Sequence, residues 1–315
     1  MGAYIARRLL GLIPLLLLIS FAVFALVLAV PGDPARTIAG GLDASDTRVD
    51  EIRDELGLDD PLLEQYGRWL GGVLSGDLGS SLFNGRTVAS ELAARFPVTF
   101  SLALGAIVFA AAVGIPLGLL AGTRPGSLLD RALSVGTSFG IALPDFFLAT
   151  ALVVIFAVEL DVLPAIHYVD LAVSPIEWAK HLVMPWIALG VASAASLARQ
   201  VRGSMIEVLD ADYVRTARSK GLAERRVLGR HALKNALTPA LTILGLQFAY
   251  LLGGTFIIES IFALPGIGQY MLEAITSRDL PVIQGVVLLV AVIFVFINLV
   301  VDILYGVLNP KVRVT

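Results

Sequence analysis

Six stretches of this chain are long and apolar enough to cross a bilayer: Leu9–Val30, Val98–Gly122, Leu133–Val158, Leu182–Ala198, Ala240–Ile258 and Val282–Val301. A spanning helix needs about 20 mostly apolar residues, because lipid offers the backbone no hydrogen-bonding partner. Asp145 is the only charge inside any of the six, and Pro175–Ala179 is placed to extend the short fourth window outward. Arg7 and Arg8 precede the first window as they would in a signal peptide. Its charge-free run exceeds an h-region of about 7–15 residues, and no small-residue cleavage pattern follows, so it is read as a retained span. The chain reads as an all-α, polytopic membrane protein with six transmembrane helices.

Charge then orients the spans. The segment from Arg199 to Lys234 carries nine basic residues, and Arg7, Arg8, Arg124, Arg131, Lys311 and Arg313 fall on the same side when the spans alternate. The opposite side holds Asp33 to Phe96, with twelve acids against six arginines, and Glu159 to His181, with four acids against Lys180. Basic loops stay in the cytoplasm. The expectation is therefore a multi-pass protein of the cytoplasmic membrane with both termini inside. In the long outer segment, Val49, Ile52 and Leu56 recur at helical spacing with Gly57 placed to end the helix. Pro61 then opens a second helix, with Leu62, Tyr66, Trp69 and Val73 on one face. That face suits packing on the bundle, or docking of an external partner.

The cytoplasmic loop is more ordered than a topology signal requires. Asp212 to Lys220 lacks proline and glycine and predicts a helix. Tyr213, Ala217 and, less strictly, Val214 share its contact face, while Arg215, Arg218 and Lys220 project elsewhere. Gly221 suits a left-handed C-cap and Leu222 the apolar contact that follows one. A second helix is expected from near Ala223 to Pro239, with His231 as a packing or capping residue. This pattern points to a docking element for another protein.

The loop resembles the coupling loop of binding-protein-dependent ABC importer permeases, whose pattern is E-A-A-x3-G-x9-I-x-L-P. With the glycine on Gly221, only Ala217, Gly221 and Leu233 keep that pattern. The form YVRTARSKGL…RHALKNAL is similar to the version carried by dipeptide, oligopeptide and nickel permeases. YIARRLLGLIP, VPGDPA, LGLDDPLLEQYGRWL, SGDLGSS, IIESIFALPGIGQ and VDILYGVLNPKVR extend the likeness along nearly the whole chain.

The resemblance implies a type I ABC importer transmembrane domain over residues 95–308, with its coupling loop at 199–238. Residues 1–94 would be an N-terminal helix plus an external segment. It implies a permease for short peptides, or for nickel, haem or glutathione in the same class. Its partners would be a second permease, two cytoplasmic ABC ATPases and an external substrate-binding protein, with membrane lipid around it and no nucleic acid. The implied ATPase-coupling helix is Tyr213, Val214, Arg215, Thr216, Ala217, Arg218, Lys220, Gly221 and Leu222. His231, Leu233 and Asn235 would support it.

Within the spans, Asp145 beside Pro144 is a candidate pathway residue, a structural ion-pair member or a neutral, protonated acid, since a charge there is costly without a partner or water. Gln247 and Asn298 suit interhelical hydrogen bonds, and Gln247 is also a candidate for the pathway. Glu259 is expected at the outer end of span five and is the third pathway candidate, shaping the external mouth, contacting the binding protein or simply hydrated. The glycines of 114–122 and Gly253–Gly254 favour close helix packing.

The chain has no cysteine and no G-x-x-x-x-G-K-[ST], H-E-x-x-H or G-x-S-x-G motif, and His167, His181 and His231 are scattered. No cofactor, metal or catalytic role is expected, and ATP hydrolysis falls to a partner. An ATP-independent secondary transporter is the alternative class. It predicts inverted repeats or charges clustered at the midplane, and only Asp145 offers anything of that kind.

Overall fold

The computed structural model describes residues 2–29, 35–36 and 45–308. Residues 30–34 of the VPGDPA motif, together with Lys311 and Arg313, lie outside them. The main helices are α1 (Gly2–Ala29), α2 (Asp46–Leu56), α3 (Leu62–Leu74), α4 (Val88–Thr123), α5 (Leu128–Ala142), α6 (Asp145–Leu152), α7 (Pro175–Asp210), α8 (Asp212–Ser219), α9 (Leu233–Gly254), α10 (Phe256–Ile261), α11 (Ile267–Ser277) and α12 (Leu280–Leu308). No strand occurs among the described residues. The chain divides into two compact units, one of 6–96 and 270–293, the other of 1–5, 97–269 and 294–315.

Within the first unit, the expected outer helices form where the caps place them. Ser45 caps α2, and Gly57 ends it at φ 60°, its N–H bonded to the carbonyls of Arg53 and Asp54. Val49 is buried with Ala35. On α3 the aromatic face turns onto α1. Tyr66 meets Phe21 edge-on at 5.2 Å and hydrogen-bonds Ser20 at 2.7 Å, and Trp69 lies 5.8 Å from Phe24. This face is used internally, which decides between packing and docking in favour of packing. The SGDLGSS turn is held from far along the chain: buried Ser81 donates to Asp279 Oδ2 at 2.6 Å.

Within the second unit, α7 is the central helix. The short apolar window of Leu182–Ala198 understated it, because Pro175 begins the helix at its first turn and Asp210 ends it. Over its most apolar stretch 56% is buried, against 33% or less for the other spanning helices. Burial against protein rather than lipid lets this span carry small and polar residues. Gly114, Gly118 and Gly122 of α4 recur every fourth residue and face it. A Cβ on Gly114 or Gly118 would sit 2.5 Å from the carbonyl oxygen of Ala194 or Ala198. Gly118→Leu is therefore expected to destabilise the bundle, at about 1–3 kcal/mol or more for an overpacked contact. Gly203→Ala on α7, where a Cβ meets nothing within 4 Å, serves as the neutral control in a detergent melting experiment. Gly254 does not behave as expected: a Cβ there would meet only Tyr250 of its own helix, at 3.8 Å.

Two predicted spans are broken. The stretch Leu133–Val158 is not one straight helix, because α5 and α6 meet at a 95° bend. Leu143 and Pro144 are extended there (ψ 120° and 136°), since proline disfavours helical backbone in the residue before it and cannot donate its own N–H. Among the described residues, five continuous helices remain long enough to span, with the bent pair as the sixth candidate. The fifth predicted span, Ala240–Ile258, stops at Gly254, and Ile258 belongs to the separate helix α10.

Candidate functional site

The loop between α7 and α9 is a small packed module. Ala211 is extended (ψ 145°) and turns the chain out of α7 into α8. Val214 and Ala217, three residues apart on α8, are buried against Val227, with Val208 and Leu209 of α7 and Leu222 alongside. The inner face is therefore Val214 and Ala217. Tyr213, expected to lead that face, is 44% exposed and lies at its edge. Its hydroxyl is still held, accepting a hydrogen bond from Asn235 Nδ2 at 2.9 Å.

Gly221 ends α8 as its residue type demanded. At φ 75° it occupies the left-handed region, which costs an L-residue about 1–2 kcal/mol. The Gly221 N–H reaches the Arg218 carbonyl at 2.9 Å and the Leu222 N–H reaches that of Ala217 at 3.4 Å, the paired closure of a Schellman motif. The turn also brings Glu224 onto Arg218, with a two-point contact of 2.7 and 3.2 Å. Both groups are well exposed, 41% and 54%, so this pair adds at most about 1 kcal/mol. The apolar seat and the glycine closure hold the module.

Beyond the turn, Val227–Ala232 forms a π-helical stretch leading into α9. Ala232 and Ala236 are buried with Met205, and Val208, Leu209 and Leu228 pack beside them. Val208 and Leu209 thus touch both halves of the loop. His231 and Leu233 are half-buried, and the His231 carbonyl accepts from Asn235 at 3.4 Å. Arg215, Thr216, Ser219, Lys220, Arg225, Arg226 and Arg230 remain exposed. The module is stiff on its inner side and basic on its outer side.

No hydrogen bond links the three pathway candidates, Asp145, Gln247 and Glu259, among the described residues. Asp145 is half-buried in the first turn of α6, just beyond the bend, and has no hydrogen bond or ion pair among the described residues. A helix N-terminus favours a carboxylate there, which replaces the expectation of a charge midway along a straight span. The Gln247 carbonyl oxygen is buried without a partner among the described residues. Asn298 donates to Phe294 of its own helix at 2.8 Å. Neither makes the expected interhelical bond among the described residues.

Glu259 departs most from expectation. It is 0% exposed, so it offers no carboxylate to an external partner. Its Oε1 accepts from the hydroxyls of Thr99 at 2.7 Å and Thr255 at 2.8 Å, and its Oε2 accepts from the Gln269 N–H at 2.8 Å. Thr99 in turn accepts from the Ile267 N–H at 2.8 Å. Glu259 is thus the knot that ties the segment 255–269 to α4. Sequence reasoning missed Thr99 because nothing local marks it. It also missed Asp130, which is 3% exposed and held in a fork by Arg202. The sign of a loop charge orients a span without revealing its partner.

Comparison with known proteins places this architecture. The family described as binding-protein-dependent transport system inner membrane component matches residues 114–314, and its N-terminal counterpart matches residues 1–103. A provisionally named peptide transport system permease protein of Brucella abortus (strain 2308) is 43% identical over 313 residues, covering 99% of both chains. The glutathione transport system permease protein GsiC of Escherichia coli (strain K12) is 41% identical over 310 residues, covering 98% of both. Among solved structures, the inward-facing MetNI methionine ABC transporter aligns with TM-score 0.57 at 17% identity, over 70% of this chain and 97% of that one. This last likeness concerns the fold.

Proposed function

The chain belongs to the family of binding-protein-dependent transport system inner membrane components, and from that premise we propose that it is the permease subunit of an ATP-driven importer of short peptides. The observation that carries this reading is the clamped helix α8, with Val214 and Ala217 locked inward and a basic face left outward. A permease without a phosphate-binding loop takes its energy from a partner. A stiff lever is what transmits a partner's motion to the spans, since coupling requires different contacts in two states.

In this reading α8 seats in a groove of a cytoplasmic ATPase through Tyr213, Arg215, Thr216, Arg218 and Lys220. Val214, Ala217, Gly221 and Leu222 keep it rigid, and His231, Leu233 and Asn235 brace its return. Ala217 therefore serves packing inside the chain, and close approach to the ATPase falls to the exposed side. A second permease, two ATPases and an external binding protein complete the assembly, and the distribution of basic residues supports a cytoplasmic position for both termini. Asp145 and Gln247 remain the candidates for lining the pathway, while the buried Glu259 positions the segment beside it.

Peptide cargo is supported by the name of the Brucella relative at 43% identity. Glutathione, itself a short peptide, is the second reading, supported by the name of the E. coli relative at 41%. Proteoliposomes holding the chain with its partner subunits and a binding protein loaded with labelled dipeptide test both. Label is expected to accumulate only with ATP. Accumulation without ATP would overturn the importer reading, and displacement by glutathione but not by unlabelled dipeptides would reassign the cargo.

A further inference from the structure

A pocket of about 190 Å³ opens between α4, α5 and α7, away from the α8 module. Gly118 lies on its α4 side, Ser134, Thr137 and Ser138 on its α5 side, and Arg199 and Arg202 on its α7 side. The two arginines differ in what they have to offer. Arg202 is neutralised by the buried Asp130, which also accepts from the Gly126 N–H at 2.9 Å. Arg199 is exposed, has no carboxylate partner among the described residues, and makes one long contact of 3.5 Å to Ser138 Oγ. The pocket thus carries one unmatched positive charge.

The hydroxyls restrict the ligand further. Ser138 and Thr137 both give their protons to the Ser134 carbonyl, at 2.9 and 3.0 Å. Their oxygens therefore face the pocket as acceptors. A fitting ligand has an anionic group for Arg199 and donor groups beside it.

Size and surroundings decide among such ligands. Sites that enclose a whole small ligand run to about 300–1,000 Å³, so this one takes the head of a molecule whose remainder lies outside. What lies outside is apolar: Val135 and Phe139 on α5 are 71% and 69% exposed. Their spacing of four residues puts them on one helix face, next to the face that carries the hydroxyls. Basic pockets between transmembrane helices attract acidic lipid head groups.

We propose that this pocket binds an anionic phospholipid, its phosphate on Arg199, its head-group hydroxyls on Ser138 and Thr137, and its acyl chains leaving along Val135 and Phe139. Phosphatidylglycerol has this chemistry. The proposal does not depend on what the transporter carries.

The test extracts the full chain, with the subunits it holds, into nanodiscs of phosphatidylcholine containing a small fraction of phosphatidylglycerol. Retained lipid is then counted by native mass spectrometry. Arg199→Gln is expected to lower phosphatidylglycerol retention about fivefold, the equivalent of one basic contact with an acidic lipid, and Arg199→Lys to keep part of it. Arg230→Gln, outside the pocket, should change nothing, which separates a site from general attraction. Equal retention by wild type and Arg199→Gln overturns the proposal. So does unchanged retention accompanied by a raised KM for peptide uptake, since the anion recognised would then be the carboxylate of the cargo.

Discussion

Glu259→Gln is expected to abolish uptake and to lower the melting point of the purified protein by several degrees. The buried carboxyl is surrounded by three donors: two threonine hydroxyls on one oxygen and a backbone N–H on the other. Glutamine keeps the shape but has a single acceptor. If its oxygen faces the hydroxyls, its amide confronts the Gln269 N–H. If it is turned over, the protons of Thr99 and Thr255 lose their acceptor. Either way at least one buried donor is orphaned, at about 1–3 kcal/mol each, and the loss of a charged acceptor adds to this.

Two companion variants make the account specific. Thr99→Val should act in the same direction, because Thr99 both donates to Glu259 and accepts from Ile267. Gly266→Ala should act sterically, since a Cβ there would overlap the Glu259 carboxyl group. Proteolysis confined to 262–269 in all three variants would show the released segment. A Glu259→Gln protein with wild-type melting point and uptake would show that the knot is dispensable.

Gly221→Val is expected to leave the protein inserted while removing most transport. The position has open space, with nothing within 4 Å of where a Cβ would stand, so the effect comes from the backbone alone. At φ 75° a β-branched residue is strongly disfavoured, while asparagine enters this region more readily. The expected order of uptake is therefore glycine, asparagine, alanine, valine. Without the left-handed residue the Leu222 N–H leaves Ala217, and Glu224 moves away from Arg218. ATP turnover measured beside uptake separates the mechanisms. Cargo-stimulated hydrolysis should fall in step with uptake if α8 is the lever. Full uptake by Gly221→Val would end that view.

Several features could be read from local sequence. The caps at Gly57 and Gly221 followed from residue type, and both glycines are left-handed. The glycines every fourth residue on α4 foretold close packing. Other features misled. Pro144 was visible, but whether a proline kinks a span or turns it through 95° depends on what receives the next helix. Tyr213 and Val214 are neighbours on one turn. Which of them faces inward depends on Val227 and Leu209, which no periodicity within α8 reveals.

By itself the sequence determined that this chain lives in a membrane and crosses it repeatedly, which loops are basic, and where α8 ends. These follow from run length, charge and the backbone preferences of single residues, all of which act over a few neighbours. Only the tertiary structure decided that Glu259 is a buried knot rather than an outer-mouth carboxylate, that Asp130 belongs to Arg202, and that Arg199 is left with its charge unmatched among the described residues. A buried polar group must find its partner wherever the fold supplies one. For Glu259 that partner is Thr99, 160 residues earlier.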